Sequence, residues 1–481
     1  MNMNKFQHLT QQLREGTPRR LIYWGGFLVL LLWTLALLRL NYWRIFDNTF
    51  WVDETWSIRL ARMRLPDMIR KTATDMHPPL FYMLAMAMNR LFGDNGPAYH
   101  LSALIPYVGI LILACTEVRR QFGLGPAFLL VTMMSLMPEP LYYNVEVRMY
   151  SLGAFLVLSA YLALHRILTR NRLPGWVIFS LASLGAAYTH YYALIIVAFF
   201  YLILIVPSLR DRKFRWRTAI TWAAAVVGYL PWLGVLLNSF ASTAGDWWLQ
   251  EIPSVSDCLK FLFSSWYLIG LFVLIVAAYL FVCLKRGKPG TKESSPAWMP
   301  VNPELLWVAA GLLSLAGTIA VGSALSYLVR PFFVDRYLYP LTPVLFLLLG
   351  FCLSRLDRTR FLCFVLTAAI VVGMWPAYLH IRDDYKYQDM CTAEFLEKVQ
   401  PGENAVFYFE DMADFRYYFP DIPERTNWKV EDADTSYDEI WYFREEKGEP
   451  DDIPGYRKEM VTKGLFTGWF YYYAWRYQAV Q

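Results

Sequence analysis

Charge is scarce in this chain. Only 18% of its 481 residues are Asp, Glu, Lys or Arg, against 56% hydrophobic and 17% aromatic. That balance argues against an ordinary soluble domain and against a disordered chain, and indicates a membrane protein. Cysteine is sparse as well: six residues, scattered, with no pair at metal-ligand spacing, so neither a disulfide scaffold nor a zinc module is expected. Cys258 and Cys391 could meet outside a membrane, which leaves a disulfide between them open; the other four lie in or at the ends of apolar runs, where cysteine usually acts as a small hydrophobe. There is no Walker loop, no dinucleotide glycine fingerprint and no His-Glu-x-x-His, hence no sign of ATP, NAD or zinc-hydrolase chemistry. Solenoid-type repeats are missing too.

Long uncharged runs are what the chain has instead. Leu21–Leu38, Phe261–Leu284, Leu305–Val329 and Phe361–Leu379 carry no charge, and each approaches or exceeds the ~18–20 residues that cross a hydrocarbon core. The first follows some twenty polar and basic residues and lacks a small-residue cleavage site, so it reads as a retained anchor. Arg14, Arg19 and Arg20 place those residues, 1–20, in the cytoplasm. The later basic clusters then fall on one side with spans near 21–40, 99–117, 125–143, 150–165, 174–190, 191–209, 218–240, 261–284, 304–328, 337–354 and 361–379. About eleven crossings are expected. Pro78–Asn89 is apolar but too short to span, and reads as a helix in the interface, inside a long outer loop over 41–98. Residues 21–380 form the membrane domain; residues 1–380 together hold 33 Lys/Arg against 18 Asp/Glu, whereas residues 381–481 hold 12 against 22 and read as a small α/β domain outside the membrane. Strands are expected at Ala405–Glu410 and Glu439–Arg444, and a short helix at Thr392–Val399. Basic loops beside spans suit anionic lipid headgroups rather than nucleic acid.

The remaining charges share an address. Asp53–Glu54, His77, Glu146–Arg148, His190 and Asp335–Arg336 all sit beside outer ends of spans. Ionisable groups there are costly unless paired or wetted, so they are functional candidates. Asp53 and Glu54 lie in Trp-Val-Asp-Glu-Thr-Trp, whose aromatics would partly desolvate one carboxylate and favour a proton acceptor. His77-Pro-Pro opens the interfacial helix and could bind an anion, an acceptor or a metal; a divalent cation at His77 or Glu54 is left open. Glu146 and Tyr150 are four apart, and Arg148 between them suits phosphate. Tyr188-Thr-His-Tyr-Tyr192 fills a tight outer turn with His190 and Tyr191. Asp335-Arg-Tyr337 opens the tenth span, with Arg336 a second phosphate candidate and Arg330 a weaker third; Trp247, Trp248 and Glu251 could stack on a sugar or gate access. Charges at outer ends rather than at mid-depth favour an enzyme acting on a lipid-linked substrate over a transporter, which remains the alternative.

The order Asp-Glu, His-Pro-Pro-Leu, Glu-x-Arg-x-Tyr, Thr-His-Tyr and Arg-Tyr-x-x-Pro over residues 20–380 resembles the bacterial relatives of the dolichyl-phosphate-mannose protein mannosyltransferases. These form glycosyltransferase family 39 and its neighbours, a group that includes the lipid A aminoarabinose transferases. The resemblance implies a GT-C fold: a polytopic helical bundle with interfacial helices in the first outer loop. It also implies a polyprenyl-phosphate sugar as donor, a lipid, glycan or protein as acceptor, and the bacterial cytoplasmic membrane as location, with the site and C-terminus extracytoplasmic. Asp53 then corresponds to the catalytic base with Glu54 as its partner, and Arg148 and Arg336 to donor-phosphate contacts. His77, Glu146, Tyr150, His190, Tyr191, Asp335 and Tyr337 would bind or orient substrate.

Overall fold

The computed structural model describes residues 23–46, 49–74, 77–242, 251–285, 302–329, 331–357, 361–410, 415–426, 433–466 and 470–480. The expectations for residues 1–20, Trp247, Trp248 and Arg330 lie outside the described residues. Nine helices among the described residues are long and apolar enough to cross a membrane, so this is a multi-pass helical membrane protein. All eleven expected spans fall on apolar helices; the two below crossing length are Leu124–Leu136 and Leu173–Ala187.

The first of these two departs from expectation for a local reason. Pro138 pushes the preceding Met137 into extended backbone (ψ 144°), and a separate short helix, Pro138–Tyr143, begins there. The expected span 125–143 is therefore two helices, with Glu139 exposed to a new environment at the break. The chain then turns through residues 144–149, where the Arg148 amide donates to the Glu146 carbonyl at 2.6 Å, before Tyr150–Arg170 begins. In the first outer loop three helices form: Val52–Arg62, Leu65–Thr72 and Leu80–Phe92. The Leu80 amide donates to the Tyr188 carbonyl at 3.0 Å, which ties the His-Pro-Pro turn to the Thr-His-Tyr turn.

Two contacts set the bundle around the site. Tyr161 and Trp307 stack at 4.3 Å and each donates to the other's backbone carbonyl at 2.9 Å, locking Tyr150–Arg170 to Pro303–Leu328. With lipid as apolar as leucine, such interhelical hydrogen bonds and close packing hold helices together where the hydrophobic effect does not. At Gly153 a Cβ would lie only 3.2 Å from the Pro340 ring, and this close approach lets the Asp335–Leu341 turn sit beside Tyr150.

The final helix runs from Phe361 to Lys398 without a break, so Thr392–Val399 is no separate helix but the end of a 38-residue one. Nothing between Ile381 and Cys391 breaks a helix. Beyond it a five-stranded mixed sheet forms from β1 (Ala405–Phe409), β2 (Glu424–Arg425), β3 (Glu439–Arg444), β4 (Tyr456–Phe466) and β5 (Phe470–Ala479), in the order β2-β1-β3-β5-β4. β1 and β3 are buried on both faces, which explains their near-continuous apolar sequence. On one face Phe407, Phe409, Phe443 and Tyr472 pack with Phe395 of the long helix. On the other Val406, Tyr408, Ile440 and Tyr477 pack with Ile453. The segment after β1 returns to the membrane domain: the Phe50 amide donates to the Tyr418 hydroxyl at 2.9 Å, Tyr417 packs on Phe50 at 4.6 Å, and Arg62 donates to the Arg416 carbonyl at 3.0 Å. Cys258 and Cys391 are both free thiols.

Candidate active site

Asp53 sits in the first turn of Val52–Arg62, held there by the loop that leaves the first span. Its Oδ2 lies 3.5 Å from Arg336 Nη2 and 3.7 Å from Arg148 Nη2. These separations exceed the ~2.7–2.9 Å of a tight charge-assisted pair. The carboxylate side chain keeps 31% exposure while Arg148 keeps 4%. Three charges from three distant segments thus share a pocket, with the carboxylate its accessible member.

Glu54 has a different task from Asp53. Its Oε1 accepts the Val147 amide at 2.7 Å and its Oε2 accepts the Trp51 amide at 3.3 Å. One carboxylate therefore closes its own helix start and clamps the 146–148 turn, so Glu146 and Arg148 emerge on either side of a fixed point. Arg148 completes the brace through Nη1, which reaches the Asp53 carbonyl at 3.2 Å and Ser57 Oγ at 3.4 Å. Arg148 Nε and the Tyr150 hydroxyl are buried with no hydrogen-bond partner among the described residues, a costly state unless a ligand satisfies them.

Glu146 accepts the Trp51 indole N–H at 2.8 Å. Burial raises its pKa to about 7, opposed by Arg336 and Arg148 and assisted by Asp53, so it exchanges its proton near neutrality. His77 moves the other way: burial, then Arg148, His190 and Arg336, hold its pKa well below the usual histidine value. A neutral imidazole lends no positive charge to an anion, so His77 is a hydrogen-bonding group here. It lies 5.7 Å from the His190 ring and 6.4 Å from Tyr337.

The other expected residues divide. His190 accepts the Tyr192 amide through Nδ1 at 3.2 Å and packs on Tyr337 at 5.0 Å and Tyr150 at 6.2 Å. Asp335 accepts the Arg336 amide at 2.7 Å, so it orders the turn that carries Arg336. Tyr191 accepts the Trp232 indole N–H at 3.3 Å on the neighbouring helix. Tyr192, passed over in the sequence, is the ring that packs on both His190 and Tyr337. Among the described residues no group of three His, Cys, Asp or Glu is gathered as a metal site would be.

Beside Arg336 opens a cavity of about 440 Å³, bounded among others by Arg44, Trp51, Glu139, Glu146, Tyr142 and Tyr385. Arg44, Glu139 and Tyr385 were not anticipated. Glu139 carries the same signal as the other candidates, an acid at the end of an apolar run, but a span drawn through position 143 hid it. Tyr385 arrives on the unforeseen extension of the last helix.

The sequence profile described as dolichyl-phosphate-mannose-protein mannosyltransferase matches residues 76–237, a stretch holding His77, Glu146, Arg148, Tyr150, His190 and Tyr191. Among solved structures, ArnT from Cupriavidus metallidurans in the apo state aligns at TM-score 0.54 and 14% identity, over 96% of this chain and 98% of that one. ArnT of the same organism bound to undecaprenyl phosphate aligns at 0.52 and 13%, over 95% and 98%. The chain resembles this mannosyltransferase group and has the ArnT-like GT-C fold. No curated protein sequence matches it. The match to the family profile covers the middle of the Asp53 pocket's sequence but neither Asp53 nor Arg336, which reach the pocket from outside the matched stretch.

Proposed function

We propose that this protein transfers a sugar from a polyprenyl-phosphate-linked donor to an acceptor hydroxyl at the outer face of the cytoplasmic membrane, in cell-envelope glycan, glycolipid or glycoprotein modification. The family resemblance and the ArnT-like fold support a polyprenyl-phosphate-linked glycosyltransferase in general. The observation that carries the finer reading is Asp53: an accessible carboxylate 3.5 and 3.7 Å from two guanidinium groups that it does not neutralise by close contact.

In this reading Asp53 removes the proton from the acceptor hydroxyl as that oxygen bonds to the anomeric carbon. The bond from that carbon to the phosphate oxygen breaks in the same displacement, and the configuration inverts. Polyprenyl phosphate departs as an anion and needs no general acid. Arg148 and Arg336 supply fixed positive charge where the leaving group develops its own, which is the most effective place for it. Glu54 holds the geometry of both flanking segments; His77, His190 and Tyr337 orient the substrate. The test is incubation of the purified protein with radiolabelled undecaprenyl-phosphate hexose and an envelope extract. Label moving to the extract with release of free undecaprenyl phosphate supports transfer. Label that binds and crosses vesicle membranes intact would assign a transporter instead.

A further inference from the structure

The 440 Å³ cavity beside Arg336 has the size of a small-molecule site, and its walls are fixed in an unusual way. Arg44 donates through Nη1 to the Leu141 carbonyl and, at 3.0 Å, to the Tyr142 carbonyl. Its guanidinium lies 3.9 Å over the Tyr385 ring, holding that ring as a flat surface. Trp51 is held in parallel fashion, by its indole N–H on Glu146 at 2.8 Å and by Arg336 at 5.2 Å over its ring. Two aromatic surfaces are thus each pinned by an arginine. Glu139 also faces the cavity, yet its carboxylate has no hydrogen bond or ion pair among the described residues.

The charge pattern narrows the occupant. A cation would meet two guanidinium groups, Arg44 and Arg336, and an anion would meet three acidic side chains, Glu54, Glu139 and Glu146. A neutral polyhydroxylated ring suits both: its C–H faces lie on aromatic surface, and its hydroxyls donate to carboxylates and accept from arginine. We propose that this cavity is a pyranose-binding subsite, with Trp51 and Tyr385 against the ring and Glu139 and Glu146 on its hydroxyls, and with Glu139 the residue that discriminates between sugars. This rests on the transferase reading above. The ring belongs either to the donor or to a saccharide acceptor, which share this chemistry.

Equilibrium binding to the purified full-length chain, by native mass spectrometry, separates the cases. The probes are undecaprenyl phosphate and the same lipid carrying mannose or glucose. If the donor sugar occupies the cavity, wild type binds at least one sugar-bearing lipid about tenfold more tightly than the bare lipid, the size expected of a hydrogen bond to a charged group. Glu139→Gln and Tyr385→Ala then each reduce that ratio to within about twofold, with bare-lipid affinity unchanged. If the acceptor ring occupies it, the ratio survives, and KM for a saccharide-bearing envelope extract rises about tenfold in both variants with donor KM unchanged. Retention in Glu139→Gln of wild-type ratios and of both KM values overturns the subsite. Failure of wild type to bind undecaprenyl phosphate at all would instead overturn the transferase reading on which it rests.

Discussion

Replacing Asp53 by asparagine separates chemistry from binding. The side chain keeps its shape, its N-terminal helix position and its exposure, but loses the charge and the ability to take a proton. Asp53 keeps 31% exposure, but Arg148 keeps 4% and Arg336 20%, so the pairs at 3.5 and 3.7 Å lie between surface and buried salt bridges. Their loss costs between the ~1 kcal/mol of a surface pair and the ~3–5 kcal/mol of a buried pair broken from one side. A positioned general base contributes about 10²–10⁴ in rate, or roughly 3–5 kcal/mol of barrier. The kinetic and structural effects are therefore of comparable size and are read by separate assays. With the carboxylate gone, an incoming phosphate competes only with Glu146 for the two guanidinium groups, so donor affinity should hold or tighten a few-fold. Single-turnover transfer from radiolabelled donor gives the rate, and native mass spectrometry gives the donor Kd. A variant turning over within tenfold of wild type would remove Asp53 from the role of base. Donor binding weakened more than tenfold would show that Asp53 organises the phosphate site instead.

Arg148→Lys keeps the charge but loses the fork that spans the Asp53 carbonyl and Ser57, so donor Kd should rise about tenfold with the fold intact; unchanged donor affinity counts against a phosphate contact. Glu146 holds its proton up to about pH 7 in the folded protein, whereas unfolded chain releases it near the ordinary value of about 4.3. Folded protein therefore binds more protons between those values and loses stability as pH rises through them. Above about 7 the new negative charge beside Arg336 should also weaken donor binding. Glu146→Gln should flatten both pH dependences, and a donor-affinity profile unchanged by the substitution contradicts this account. Tyr418→Phe leaves the Phe50 amide without its acceptor, a loss of about 1–3 kcal/mol if that amide stays dry. Limited proteolysis should then release the C-terminal domain about tenfold faster, and an identical digestion rate would mean that the contact is idle.

Much of this arrangement was legible in the sequence because a bilayer imposes a length and a charge rule on every crossing. Asp53, His77, Glu146, Arg148, His190 and Arg336 stood out since each is an ionisable group at an apolar boundary, and the fold draws all six toward one region. Less legible was anything set by the backbone between them. The break at Met137 follows from one proline, yet a hydropathy window averages across it and so concealed Glu139. Glu54 and Asp53 look equivalent in sequence; only the Val147 amide, more than ninety positions away, tells clamp from candidate base. Tyr191 and Tyr192 are likewise indistinguishable until a helix rotates one toward Trp232 and the other toward Tyr337. The docking of Tyr417 and Tyr418 onto Phe50 is a contact between ends of the chain, which local pattern cannot encode.

The uninterrupted run from Phe361 to Lys398 has a mechanical consequence. At about 1.5 Å per residue its contour is roughly 57 Å, with Pro376 in its interior, against a hydrocarbon thickness of about 30 Å. It is longer than a crossing requires, with the sheet packed on Phe395 near its end and Tyr385 partway along. Displacing the sheet therefore requires breaking two attachments, the Phe395 packing and the contact of Tyr417 and Tyr418 with Phe50.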